Sequence, residues 1–231
     1  YRIMRLSKFL SLAVAMSRNQ AKFFIRKGRL SVDGNVVTDP EFDVAETSHV
    51  VFDGKPIAIV EHQYILLNKP ASYDCSTKDT EYTSVLDLLN NRPDDRYYYF
   101  ANVLAPEATG LVLLSDDARW TSRLKRRLLK KPRIFDIRSK YPISADQLEG
   151  IKDRWLVTSE NKNGPVLDIE LQDPMKLQLK TNNVGMQKIT EIFAAADVDI
   201  ETAHLKQLGR LSLGDLGEGD YLELAEDQVR I

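Results

Sequence analysis

Cys75 is the only cysteine among 231 residues, so no intrachain disulfide can form, a usage suited to a reducing compartment. His49, His62 and His204 are the only histidines and stand far apart. That scatter excludes a Cys/His cluster with metal-ligand spacing, and no metal is expected. No apolar run reaches the 18 or more residues of a membrane span, and the first residues lack the charged, apolar and small-residue order of a signal peptide. A cytoplasmic protein without membrane contact is therefore expected. Repeats and low-complexity tracts are missing, and 43% hydrophobic with 29% charged residues excludes a disordered or fibrous chain. The length allows one ordinary domain and a small one.

Acids are missing from two stretches, and this absence shapes the charge of the whole chain. Residues 1–32 hold eight Lys or Arg and no Asp or Glu, and residues 119–133 hold another eight with none. Half of the 32 basic residues sit there, which leaves 16 bases against 34 acids elsewhere, a balance of −18 hidden inside a net charge of −2. Such a molecule repels a polyanion except at its two basic patches, gaining orientation as well as affinity. The alternative is that both patches are solvated helix faces.

Leu6, Phe9, Leu10 and Ala13 recur at helical spacing, and Ser17 suits the N-cap of a second helix running to about Lys27, with Gly28 at its stop. In that helix Arg18, Lys22 and Arg26 share one face, while Ala21, Phe24 and Ile25 point inward. Leu30–Val37 reads as two short strands around the Asp33-Gly34 turn, and Ser48–Phe52 as a further strand. The boundary of this unit is expected between Pro56 and His62, giving domains 1–60 and 61–231. The second domain opens on Gln63-Tyr64-Ile65-Leu66-Leu67-Asn68-Lys69-Pro70, a buried-type strand broken by proline. Further strands are expected at Gly110–Ser115, Arg133–Ser139, Val166–Leu171 and Lys176–Lys180. Helices are expected at Thr83–Asn90, Ala118–Leu129, Ser144–Lys152 and Gln187–Ala196. The pattern is α+β with a mostly antiparallel, mixed sheet.

Met4-Arg5-Leu6-Ser7-Lys8-Phe9-Leu10, Ser17-Arg18 and Arg26-Lys27-Gly28-Arg29-Leu30-Ser31-Val32-Asp33-Gly34 resemble an S4 (αL-type) RNA-binding domain. Leu67-Asn68-Lys69-Pro70, Thr109–Asp117 and Gly209–Leu216 resemble the RsuA-type family of ribosomal small-subunit RNA pseudouridine synthases, so the resemblance spans nearly the whole chain from Met4. It implies an S4 domain followed by a pseudouridine synthase domain, and chemistry without a cofactor. In that family an aspartate carboxylate attacks the ribose or removes one of its protons, and the detached base rotates and rejoins through carbon. The implied partner is RNA, ribosomal RNA or pre-ribosomal particles, bound by a monomer. The implied RNA contacts are Arg5, Lys8, Arg18, Lys22, Arg26, Lys27 and Arg29, joined by Arg123, Arg126 and Arg127 of the second basic stretch.

Where the family carries Gly-Arg-Leu-Asp, this chain reads Asn102-Val103-Leu104-Ala105, followed by Pro106-Glu107-Ala108-Thr109-Gly110-Leu111. A methyl group neither attacks nor takes a proton. Phe135 in Arg133-Ile134-Phe135 stands at the family's tyrosine, Gly185 at the arginine that pairs with the aspartate, and Glu191 at a further basic residue. Loss of an ion pair together with its neighbours implies an abandoned site. Glu107, two residues on along an extended chain, would be displaced by about 6 to 7 Å, and Pro106 stiffens the segment. Asp116 and Asp117 read as caps of the basic helix. Tyr97-Tyr98-Tyr99-Phe100 allows base stacking, but the favoured reading is a strand of alternating burial. His204 has no recognisable partners and is expected to be structural or superficial. The readings left open are an RNA binder without isomerase activity, an active enzyme with a relocated carboxylate, and a module using the vacated cleft for a protein or small ligand.

Overall fold

The computed structural model describes residues 3–77, 80–90, 92–93, 96–158, 168–182, 184–225 and 228. They form two compact units, Tyr1–Glu61 and His62–Ile231. The first contains β1 (Ile3–Arg5), α1 (Leu6–Ala13), α2 (Arg18–Arg26), β2 (Leu30–Val32), β3 (Asn35–Val36), β4 (Asp43–Ala45), β5 (Val50–Phe52) and β6 (Lys55–Ile57). Strands β3-β2-β5-β6 form an antiparallel sheet in that order, and β1 pairs with β4. A capping box starts α2: Gln20 N–H donates to Ser17 Oγ at 3.2 Å and Ser17 N–H to Gln20 Oε1 at 3.0 Å. Leu6, Leu10, Ala21, Ile25, Leu30 and Val50 bury the helices on the sheet. The Asp33-Gly34 turn has positive φ at both residues, 49° and 85°, as a two-residue hairpin following the twist of its strands requires.

The second unit contains β7 (Tyr64–Lys69), β8 (Tyr73–Asp74), β9 (Thr83–Ser84), β10 (Tyr99–Phe100), β11 (Thr109–Ser115), α3 (Ala118–Leu128) and β12 (Pro132–Ser139), then α4 (Ala145–Thr158), β13 (Asp168–Asp173), β14 (Lys176–Asn182), α5 (Met186–Ala195), β15 (Ile200–Leu208), β16 (Leu211–Ser212) and β17 (Tyr221–Glu223). The main sheet runs β13-β14-β12-β15-β11-β7-β17, with β10 on β11 and β16 on β15. Only the β11–β15 pairing is parallel among its described ladders, so the α+β class with a mixed, mostly antiparallel sheet holds. Among the described residues no helix is long and apolar enough to cross a membrane.

Two sequence expectations need correction. Thr83–Asn90 is not an α-helix: Thr83–Ser84 pairs as β9, and only a 3-10 turn, Val85–Leu88, follows. Ser84 Oγ accepts the Leu86 N–H at 3.2 Å, a local turn that competes with a longer helical ladder, while Val85, Leu86 and Leu89 bury equally well in either form. The helix expected at Ser144–Lys152 extends as α4 to Thr158. The strand expected from Val166 is β13, and Val166 itself lies outside the described residues. No sequence reading anticipated β15, which joins β11 to β12 at the sheet's centre. Its Glu201, Thr202, His204, Lys206 and Gln207 dilute the apolar signal of Ala203, Leu205 and Leu208.

Candidate functional site

Ala105 sits in the loop between β10 and β11, and the loop's shape is fixed from three sides. Asn102 lies against β11 like a peptide unit, its Nδ2 donating to Leu111 O and its Oδ1 accepting from Leu113 N, both at 2.9 Å. Ala108 N–H donates to Ala105 O at 3.0 Å, closing a turn with Pro106 and Glu107 at its centre. Proline's fixed φ suits the first central position of such a turn, so the segment doubles back and the displacement computed for an extended chain does not apply. Glu107 is exposed on the turn.

Lys69 supplies the third support. Its side chain is fully buried at the end of β7, and its Nζ donates to the carbonyls of Pro70, Pro106 and Ala108 at 3.0, 3.1 and 2.7 Å. No carboxylate lies within 4 Å of it among the described residues. Burial pushes its pKa down, while Cys75, Glu107, Asp74 and Glu218 act in the opposite direction from further off. The Cys75 thiol is hydrogen-bonded to Leu104 and its pKa is pushed up, chiefly by burial; it therefore stays protonated and a poor nucleophile. In the sequence Lys69 stands out only as part of Leu67-Asn68-Lys69-Pro70. A lysine closing an otherwise buried strand just before proline was the available signal.

The loop leads into the parallel contact of β11 with β15. Gly110 has φ +112°, and a Cβ there would stand 2.3 Å from Leu205 O, so only glycine fits. The neighbouring Thr109 Oγ1 lies 2.8 Å from His204 Nδ1. Burial holds the His204 pKa below its ordinary value, against the pull of Asp136 and Glu218. His204 is thus half-buried beside the Ala105 loop rather than isolated. Asp136, its register partner on β12, is met by Lys206 at 3.4 Å and Gln178 at 3.2 Å.

Phe135 is 2% exposed and packs in the core, in register with Leu179 and Leu205; its missing hydroxyl leaves no buried polar atom in need of a partner. Arg133 Nη1 donates to Val184 O at 3.1 Å, and its buried Nε has no acceptor among the described residues. Gly185 caps α5 with no side-chain hydrogen bond, and space lies open around it. Glu191 is an exposed residue of α5 paired to Lys188 at 3.1 Å.

The basic residues divide by their partners. Arg5 meets Asp43 at 3.1 Å, Lys22 meets Glu41 at 3.5 Å, and Arg29 forms a two-pronged pair with Asp53 while lying over the rings of Phe24 and Phe52. The face expected from Arg18, Lys22 and Arg26 exists, with Lys22 neutralised. Lys8, Arg18, Arg26 and Lys27 are exposed and meet no carboxylate among the described residues, and Lys27 lies over the outward ring of Phe23. Arg123, Arg126 and Arg127 of α3 are exposed and likewise meet none. Asp117 caps α3, accepting from Arg119 N and Trp120 N at 2.9 Å. Asp116 does not cap: its buried carboxylate accepts from Gln63 N and Arg96, each at 2.8 Å, and lies 3.3 Å from His62.

Comparison with known proteins follows the same division of the chain. The S4 domain model matches residues 4–51. The N-terminal unit is an S4 domain. The chain as a whole is homologous to ribosomal small-subunit pseudouridine synthases of the RsuA type. It is 29% identical over 229 residues to ribosomal small subunit pseudouridine synthase A of Escherichia coli K12, covering 98% of both chains. The Yersinia pestis protein of the same name is 28% identical over 228 residues, covering 98% of this chain and 97% of that one. The crystal structure of a pseudouridylate synthase superposes with a TM-score of 0.57 at 21% identity, covering 97% of each chain, which establishes the shared fold.

Proposed function

We propose that this protein is an RNA-binding homologue of ribosomal-RNA pseudouridine synthases that has lost uridine isomerisation. The observation that carries the reading is Ala105: at the position where the resemblance puts the indispensable carboxylate, the side chain is a methyl group. The loop around it is firmly held, with Lys69, Asn102 and Gly110 shaping it. A retained scaffold around a missing reactive group fits a protein selected for binding. Among the described residues Lys8, Arg18, Arg26 and Lys27 of the S4 unit meet no acid, which leaves them available to a phosphate backbone. The partner is ribosomal RNA or a pre-ribosomal particle, engaged by a cytoplasmic monomer without a cofactor.

A second reading is an active enzyme using another carboxylate. Glu107 favours it, since it shares the Ala105 turn. Incubating the purified chain with small-subunit ribosomal-RNA fragments, followed by chemical marking and reverse transcription, separates the two. Salt-sensitive RNA binding with no pseudouridine stop is expected. A new stop overturns the loss of isomerisation, and RNA binding indifferent to salt overturns the binding role.

A further inference from the structure

The second basic stretch has a neighbour that the charge pattern alone does not reveal. Arg119, Arg123 and Arg126 are four and three residues apart on α3 and so lie along one face, each exposed and none within 4 Å of a carboxylate among the described residues. Arg127 flanks them. Trp120, Leu124 and Leu128 take up the helix's buried side, and the one large apolar side chain exposed at this helix is Leu129 at its C-terminal cap, so arginines dominate the outward face.

The end of the aromatic run Tyr97–Phe100, strand β10, lies beside this helix. In the sheet, Tyr99 pairs with Ser115 and Ser115 with Tyr64, and residues paired in register point to the same face. Tyr64 meets Trp120 of α3 edge-on at 4.8 Å between ring centroids. Tyr99 therefore stands on the α3 face of the sheet, next to the helix, and is 43% exposed. Tyr98 turns inward at 3% exposure, whereas Tyr97 is 80% exposed. Phe135 belongs to the opposite face: its partner Leu205 is in register with Gly110, whereas Thr109 and His204 occupy the face that continues along β11 to Ser115.

A phenol ring exposed beside a row of unpaired guanidinium groups is the composition of a single-stranded nucleic-acid surface, in which rings stack on bases and cations follow the backbone. A duplex hides its base faces and has no use for the tyrosines. We infer that Tyr97 and Tyr99 together with Arg119, Arg123 and Arg126 form a second RNA-binding surface, for unpaired nucleotides, on the sheet face opposite Phe135. The inference rests on the RNA-binding reading above and adds the strand state of the RNA and the place where it binds.

Fluorescence anisotropy of the full chain with a labelled 12-nucleotide oligouridine and a 12-base-pair RNA duplex tests it. Wild type is expected to prefer the oligouridine. Tyr97→Ala combined with Tyr99→Leu should weaken oligouridine binding by about ten-fold or more, as for loss of a stacked base, and leave the duplex unchanged. Arg119→Gln/Arg123→Gln/Arg126→Gln should lower the slope of log affinity against log salt by about 2, near 0.7 for each lost phosphate contact. Circular dichroism and the urea midpoint establish that both variants are folded. An Arg26→Ala/Lys27→Ala variant marks the S4 surface. If wild type binds neither RNA, the RNA-binding reading itself fails. If it binds and the tyrosine or arginine variant is indistinguishable from wild type, or the duplex is preferred, the surface is overturned while the S4 contribution stands.

Discussion

Lys69 Nζ lies 2.7 Å from the carbonyl oxygen of Ala108 and 3.1 Å from that of Pro106, so a buried ammonium holds the two ends of the turn centre that follows Ala105. Replacing Lys69 by Met keeps most of the volume but leaves the carbonyls of Pro70 and Ala108 without this donor, while that of Pro106 keeps the Ser72 N–H at 2.8 Å. Each buried unsatisfied acceptor is costly, and a destabilisation of about 2–4 kcal/mol is expected. A lower urea midpoint at constant m-value measures it. A midpoint equal to wild type would mean that water or neighbouring donors replace the ammonium fully.

Gly110→Ala tests the parallel contact beside the loop. The new methyl carbon would stand 2.3 Å from Leu205 O on a backbone with φ +112°, so both β11 and β15 must shift. Overpacking and a forbidden conformation act together, and a loss above about 3 kcal/mol is expected. Thermal unfolding by circular dichroism reads it; a change of only a degree or two would show that the strands separate easily.

His204 gives a pH dependence whose sign follows from burial. Its folded pKa lies below the ordinary 6.5, so as pH falls below about 6.5 the unfolded chain takes up the proton first. The stability that the neutral ring carries at pH 7 is lost progressively from there down to the lowered folded value, and is level beneath it. His204→Gln should flatten this part of the curve of unfolding free energy against pH. Equal slopes for wild type and variant between pH 7 and 5 would assign the titration elsewhere.

Asp116 and Asp117 are adjacent and do different work. Asp117→Ala removes a helix cap and should cost about 1 kcal/mol. Asp116→Ala withdraws the acceptor of Gln63 N and of Arg96 and takes the carboxylate from beside His62, so a larger loss, about 2–4 kcal/mol, is expected. Urea midpoints in the reverse order would contradict these geometries.

The N-terminal unit was legible because its signals are local: Ser17 with Gln20 caps α2, and Asp33-Gly34 turns the hairpin. Ala105, Phe135 and Gly185 could be placed by resemblance, yet what surrounds them could not. Lys69 and Ala108 are far apart in sequence, and their contact exists only once β7 and β11 pair. The cap expected at both Asp116 and Asp117 was half right for the same reason, since Gln63 and Arg96 are brought to Asp116 by the fold. Tyr97 and Tyr99 alternate with buried Tyr98 as expected, but only Tyr99–Phe100 of the run is a strand; the place of Tyr99 beside α3 depends on register, which local pattern does not encode.

Ala105→Asp alone is not expected to restore isomerisation. The side chain returns, but Gly185, where the resemblance puts the pairing arginine, offers no cation, and Glu191 keeps its negative sign. A Cβ at Gly185 meets no atom within 4 Å among the described residues, and Ala105→Asp/Gly185→Arg is the companion variant. Both variants are assayed for the reverse-transcription stop on small-subunit ribosomal RNA. A stop from the single variant would place the whole loss of activity at Ala105 and remove Gly185 from the account.

The last expectation separates cations that hold the S4 unit together from those that face solvent. Arg29 is committed to Asp53 and to the rings of Phe24 and Phe52, whereas Arg26 and Lys27 meet no acid. Arg26→Ala/Lys27→Ala should therefore lower RNA affinity across sequences and reduce the salt slope by about 1.5, from two contacts worth about 0.7–0.9 each. Arg29→Ala should leave that slope in place and instead lower the unfolding midpoint, because packing over two rings is lost with the charge. Filter binding between 50 and 200 mM salt distinguishes them. If the Arg29 variant loses as much slope as the double variant, then Arg29 leaves Asp53 for phosphate, and a paired arginine in this unit still counts towards the RNA contact.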